Sequence, residues 1–225
     1  MANYATTEKT RHTLIMTAGE LFAEHGIKAV TTRMIAQESG ENIGTIHYHF
    51  GGKSGLLNAV VEYVIAGWKD DPLGKIFEEQ QELLETRAGQ ALLIKQLINT
   101  QADIIFAHGS NWWCGTLIYQ ILQRDTEVTE KVINELIALE TRVFVGLYQK
   151  IVKGASFDEA YAWMLTVIAP FVLLTTSPLV TTKMRGVNSL DDEFIKRVRQ
   201  NTIKNTLSGL GLENVNDIKH EKSRK

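Results

Sequence analysis

The stretch "TTRMIAQESGENIGTIHYHFGGK", residues 31–53, constrains this chain more than any other part of it. Two short apolar-periodic segments are divided by Gly40 and closed by the pair Gly51 and Gly52, which leaves each segment room for about two helical turns. Thr31 or Thr32 is placed to cap the first, over Met34, Ile35 and Ala36, and Gly40 is free to end it in the left-handed conformation. Asn42 is placed to cap the second. Two short helices joined by a tight glycine-containing turn are a helix-turn-helix arrangement. At about 100° per residue, Ile46 and Phe50 share one face of the second helix, and they dock it on a helix that precedes the pair. That helix runs from Thr10 to His25, where Leu14, Ala18, Leu21 and Phe22 recur at helical spacing and Gly26 follows as a stop.

After Lys53 the apolar residues Leu56, Leu57, Val60, Val61, Val64 and Ile65 lie on one side of a longer helix, which fades at "GWKDDPLG". Asp70, Asp71 and Pro72 mark the boundary of a small head. Further helical patterns cover about residues 74–86, 90–108, 113–123, 126–153, 157–181 and 191–209. With only three prolines, 44% apolar and 22% charged residues, the chain reads as an all-α soluble protein. A three-helix head at 1–70 is joined to a larger helical body at 71–212, followed by a polar tail at 213–225.

Cys114 is the only cysteine, so there is no internal disulfide framework and no multi-cysteine zinc site, and the interior of a cell is the expected compartment. The start "MANYATTEKTRHTL" lacks the apolar core of a signal peptide. A net charge of −2 gives no bulk basic footprint, and in the first 55 residues Lys9, Arg11, Lys28, Arg33 and Lys53 are cancelled by Glu8, Glu20, Glu24, Glu38 and Glu41. Nucleic-acid binding by this end therefore rests on a few well-placed groups. In the second short helix those groups are Gly44 and Thr45, small enough for close backbone approach, with Thr45 able to touch a thymine methyl or a base edge. Tyr48 and His49 can donate to phosphate oxygens, and Lys53 opens the next helix, whose N-terminal amides also favour a phosphate.

The pattern of Thr32, Ile35-Ala36 and Gly40 followed by "GTIHYHFGGK" resembles the DNA-binding head of the TetR family of one-component transcriptional repressors. The resemblance covers about residues 8–60. Two positions depart from the family pattern: Glu41 stands where a small apolar residue is usual, and His47 replaces a tyrosine. The resemblance implies DNA contacts from Thr32, Arg33, Thr45, His47, Tyr48, His49 and Lys53. It also implies a cytoplasmic homodimer on palindromic double-stranded DNA, the last two long helices pairing with those of the partner. The body would hold an unknown small-molecule ligand whose binding shifts the dimer to a shape that releases DNA. "NWWCGTLIYQ" resembles the part of such bodies where a helix begins beside the pocket, so Trp112, Trp113 and Cys114, with Met164 and Phe171, either line that pocket or fill the core. No cofactor is implied.

Other readings give way on chemistry. His47 and His49 point about 200° apart on a helix, which opposes chelation by the pair. Cys114 and His108 are separated by a break at 109–111 and have no orienting acid, so no catalytic set is named and an enzyme is the weaker alternative. Ala160 to Thr182 carries no charged residue and meets the length of a membrane span, which keeps a membrane-attached or purely oligomeric protein open as an alternative. Pro170, Pro178 and the hydroxyls of Thr166, Thr175, Thr176, Ser177, Thr181 and Thr182 are poorly served by lipid, and burial between the core and a dimer partner explains the same apolarity without a membrane. The stripe of Phe194, Ile195, Val198, Thr202, Ile203 and Leu207 reads as a second interface helix.

Overall fold

In the computed structural model, which describes residues 2–68, 71–106 and 113–213, every regular element is helical. The first four are α1 (Ala2–His25), α2 (Thr32–Ser39), α3 (Ile43–Phe50) and α4 (Lys53–Trp68). Then come α5 (Pro72–Glu79), a 3-10 turn (Gln81–Glu85) and α6 (Arg87–Ile105). Next in the chain are α7 (Trp113–Leu122), α8 (Glu127–Val132), a π-helical turn (Ile133–Ile137) and α9 (Ala138–Ile151). The chain closes with α10 (Phe157–Thr176), α11 (Pro178–Arg185) and α12 (Asp192–Gly209). Three expected continuous patterns are broken. Residues 126–153 are interrupted by the π turn. Residues 74–86 tighten into 3-10 geometry. Residues 157–181 break at Ser177, where Pro178 takes the first turn of a new helix, whereas Pro170 is accommodated inside α10.

The elements sort into two compact units, Met1–Asp70 with Ala107–Ile137, and Asp71–Phe106 with Ala138–Lys225. One change of unit falls between Asp70 and Asp71. What the sequence does not show is the return: α7 and α8, expected in the body, pack with the head. Their apolar face, Trp113, Leu117, Ile118, Ile121 and Val132, completes the core built by Leu14, Ala18 and Phe22 of α1 with Val60, Val61 and Val64 of α4. Trp113 is fully buried against a notch at Gly19, where a Cβ would meet the indole at 2.6 Å, and its ring stacks on Tyr63 at 6.2 Å. The turn before α8 is tied inward by Thr129, whose hydroxyl donates to the carbonyl of Ile121 at 3.1 Å.

In the second unit, Leu93, Ile94, Leu97 and Ile98 of α6 meet Val143, Phe144 and Leu147 of α9 and Met164, Val167 and Phe171 of α10 in one core. The entry to α10 is closed by a reciprocal capping box between Ser156 and Glu159. Among the described residues, α10 is the one helix long and apolar enough to cross a membrane by length and composition. It buries Ala160, Met164, Val167, Ile168, Phe171 and Leu174 on one face and exposes Tyr161, Leu165 and Leu173 on the other. The stripe of α12 is spent at home: Ile195, Thr202 and Leu207 are buried and Val198 and Ile203 pack on the same core. The outer face of α12 carries Lys196, Arg197, Gln200, Asn201 and Lys204.

One polar pair interrupts this core. Gln101, 2% exposed, donates from Nε2 to Oε1 of Glu140 at 3.0 Å. Packing strips water from that carboxyl, and the loss of solvation pushes its pKa from 4.5 up to about 7. The folded state therefore holds a proton that the unfolded chain releases. The corresponding stability is fully present below about pH 4.5 and is lost as pH rises through about 7. Thermal melts followed by circular dichroism between pH 5 and pH 8 are expected to show a loss on the order of 2 kcal/mol that Glu140→Gln removes. Parallel pH profiles for the two proteins would refute this assignment.

Candidate nucleic-acid interface

The local chemistry at α2 and α3 is that of two capped ends and two left-handed stops. Thr31 Oγ1 accepts from the Met34 amide at 3.2 Å, and Gly40 ends α2 at φ 71°. Asn42 Oδ1 accepts from the Thr45 amide at 2.9 Å. The Gly51 amide closes the other end on the His47 carbonyl at 2.9 Å, with φ 70°. Ile46 is fully buried and Phe50 packs half-buried on the same core, so a single apolar side fixes which residues of α3 face outward.

The outward residues line an open cleft made by Thr7, Thr10, Glu41, Asn42, Gly44, Thr45, Tyr48 and His49. Tyr48 is 84% exposed, and its ring stands edge-on to that of His49 at 5.0 Å. The cleft thus offers hydroxyls, an imidazole and a backbone bared at Gly44, groups that suit phosphate oxygens and base edges. Of the seven residues expected at DNA, Thr45, Tyr48 and His49 meet in this cleft. His47 is exposed outside it, with its imidazole beside Gly52. Thr32 and Arg33 occupy the first turn of α2, Arg33 exposed. Lys53 stands at the start of α4, its ammonium donating to the Lys28 carbonyl at 3.3 Å.

Four residues of the site were not singled out as contributors by the sequence. Glu41 is held by a hydrogen bond from the Thr10 hydroxyl to Oε1 at 3.2 Å, so the carboxylate that departs from the family pattern has a dedicated partner. Arg11 donates from Nη1 to the His49 carbonyl at 3.4 Å and lies 4.8 Å from the centre of the Phe50 ring. The available signal was register: Arg11 lies three and four positions before Leu14 and Ile15, on the core side of α1, where a charge needs a partner. Gly55 is the fourth, because a Cβ there would overlap the backbone carbonyl of Phe50.

The residues named for a ligand pocket are not gathered in one unit. Trp113 and Cys114 belong to the first, Trp113 sealed in its core and Cys114 half-buried beside it; Met164 and Phe171 are buried in the second, Phe171 against Phe106 at 6.0 Å. Trp112 and His108 lie outside the described residues. Burial pushes the Cys114 thiol up to about 12, which keeps it protonated at neutral pH.

These observations define a helix-turn-helix protein whose recognition helix is open to solvent. A sequence model described as bacterial regulatory proteins, tetR family, matches residues 14–60. The chain is 30% identical over 149 residues to the HTH-type transcriptional repressor KstR2 of Rhodococcus jostii (strain RHA1), covering 65% of this chain and 67% of that protein. It is 35% identical over 95 residues to the dual regulator CecR of Shigella flexneri, 40% of each chain. The fold matches the fatty acid degradation regulator FadR of Bacillus halodurans with a TM-score of 0.52 at 19% identity, over 86% of this chain and 94% of that one. The chain belongs to the TetR family of bacterial transcriptional regulators. It is a DNA-binding transcriptional regulator.

The packing of α4 on the end of α3 yields a prediction. Gly55→Ala is expected to destabilise the first unit by about 1–3 kcal/mol through backbone overlap and to abolish DNA retention in a gel-shift assay. A variant with wild-type melting and wild-type DNA retention would show that this approach is dispensable.

Proposed function

We propose that the protein is a homodimeric repressor that works in the cytoplasm on a palindromic operator and leaves it when a small molecule binds the second unit. The observation that carries this reading is the cleft along α3, where Thr45, Tyr48 and His49 stand together over a helix anchored by Ile46. In this reading Thr45 and His47 read base edges, Tyr48, His49 and Lys53 hold phosphates, and Thr32 and Arg33 add backbone contacts from the first turn of α2. Repression follows the naming of KstR2, a repressor.

Two observations in the second unit support the rest. The outer sides of α10 and α11 carry Tyr161, Leu165, Leu173, Leu179, Val180 and Met184 in water, the last 84% exposed, a surface that a second copy of the chain would cover. With α12 polar outside, that pairing would draw on α10 and α11 in place of α10 and α12. Supporting a ligand, Oε1 of Gln101 is buried with no hydrogen-bond partner among the described residues, an acceptor left open in the second core.

Selection of random duplex DNA by the purified protein, sequenced after several rounds, is expected to return a two-fold symmetric site; enrichment of no sequence at low salt would overturn the operator reading. On the selected duplex, Lys53→Ala is expected to weaken binding to all sequences and to shallow the dependence of log K on log salt by about 0.9, one phosphate contact. An unchanged slope removes Lys53 from the phosphate set. Thr45→Val, which keeps the shape and drops the hydroxyl, is expected to alter preference at one base pair by roughly tenfold. A uniform loss across operator variants would count against base reading.

A further inference from the structure

Two consecutive residues of α1 reach the two sides of the recognition helix in sequence, one at the turn that leads into it and one at its last turn. Before its N-terminus, the Thr10 hydroxyl donates to Glu41 Oε1 at 3.2 Å, and the Glu41 amide closes α2 on the Ala36 carbonyl at 3.0 Å. At its C-terminus, the Arg11 guanidinium donates to the carbonyl of His49 at 3.4 Å and rests 4.8 Å from the centre of the Phe50 ring. Both Thr10 and Arg11 are half-buried. The charges also run the right way: a carboxylate at the positive end of the α3 dipole and a guanidinium at its negative end.

We infer that Thr10 and Arg11 form a two-point clamp that fixes the direction of α3 on α1, and that Glu41 is the acceptor this clamp requires. They are positioning residues for base reading, and the inference rests on α3 being the reading element. Ile46 and Phe50 anchor the eight-residue helix along one side only, which leaves its ends free to rock about that line. Contacts at both ends remove the rocking. The departure at Glu41 then has a cause in this chain: an apolar residue there would leave the Thr10 hydroxyl without its acceptor. Arg11 is matched to its place by shape as well as charge, since a planar guanidinium can donate to a carbonyl while lying over a ring and a lysine ammonium cannot reproduce both.

The test uses the full chain with Thr10→Val, Thr10→Ser and Arg11→Lys. Hydrogen exchange of the free protein reads the clamp without DNA: exchange at residues 47–51 is expected to quicken about tenfold in Thr10→Val and Arg11→Lys, with α1 and α4 unchanged and Thr10→Ser close to wild type. On DNA, the ratio of affinity for a selected site over a scrambled duplex is expected to fall about tenfold in the first two variants while the salt slope stays, because Arg11→Lys keeps its charge. Unchanged protection of α3 overturns the inference whatever the DNA result. Quickened exchange with an unchanged affinity ratio overturns the positioning role, and faster exchange throughout the unit assigns the two residues to general stability. A wild-type protein that shows no preference between duplexes refutes the base-reading assignment, while the exchange data still decide the clamp.

Discussion

An eight-residue helix has no stability of its own in water, because the cost of nucleation is not recovered over two turns. Everything around α3 answers to that constraint. Its first turn is closed by Asn42, its last by Gly51, its inner side by Ile46, and its ends by side chains reaching from α1. The outward residues of such a helix are held in place only as well as these neighbours hold the backbone beneath them. A reading surface with a formal net charge near zero across the first 55 residues can work on those terms, since placement does what bulk attraction does elsewhere.

How much was legible in the sequence depended on whether the cause was local. Caps and stops at Thr31, Gly40, Asn42 and Gly51 are local, and they could be read residue by residue. The same holds for Ile46 and Phe50, whose shared face follows from helical period alone. What could not be read were contacts between residues far apart in the chain. Thr10 with Glu41 and Gly55 with Phe50 depend on how helices cross, and Gly19 with Trp113 depends on a helix that returns from almost a hundred positions away. Trp113 shows the point best: its neighbours in sequence suggest a pocket, and its neighbours in space make it a core residue. The stripe of α12 shows a related limit, because periodicity says that a face is covered and not by what.

The second unit is organised differently. Its helices are long enough to carry their own apolar stripes, and the irregular points are where chemistry departs from packing: Pro178 at a break, Gln101 and Glu140 as a polar inclusion, and Asp71 at φ 36°. Asp71 is strained for a residue with a side chain, yet its carboxylate caps the Gly74 amide at 2.9 Å and meets Arg142 at 3.2 Å. The strain sits where the chain changes unit and is offset by two partners.

The seating of Trp113 beside Gly19 also sets an order of events during synthesis. The first unit is not contiguous, so the segment 71–106 must be made before the last helices of that unit leave the ribosome. Until then the α1 and α4 surfaces that will receive Trp113, Leu117 and Ile121 lack their cover. The DNA-reading end, although encoded first, is finished only after about three-fifths of the chain has emerged, and closing that long loop places its completion among the slower, non-local steps of folding.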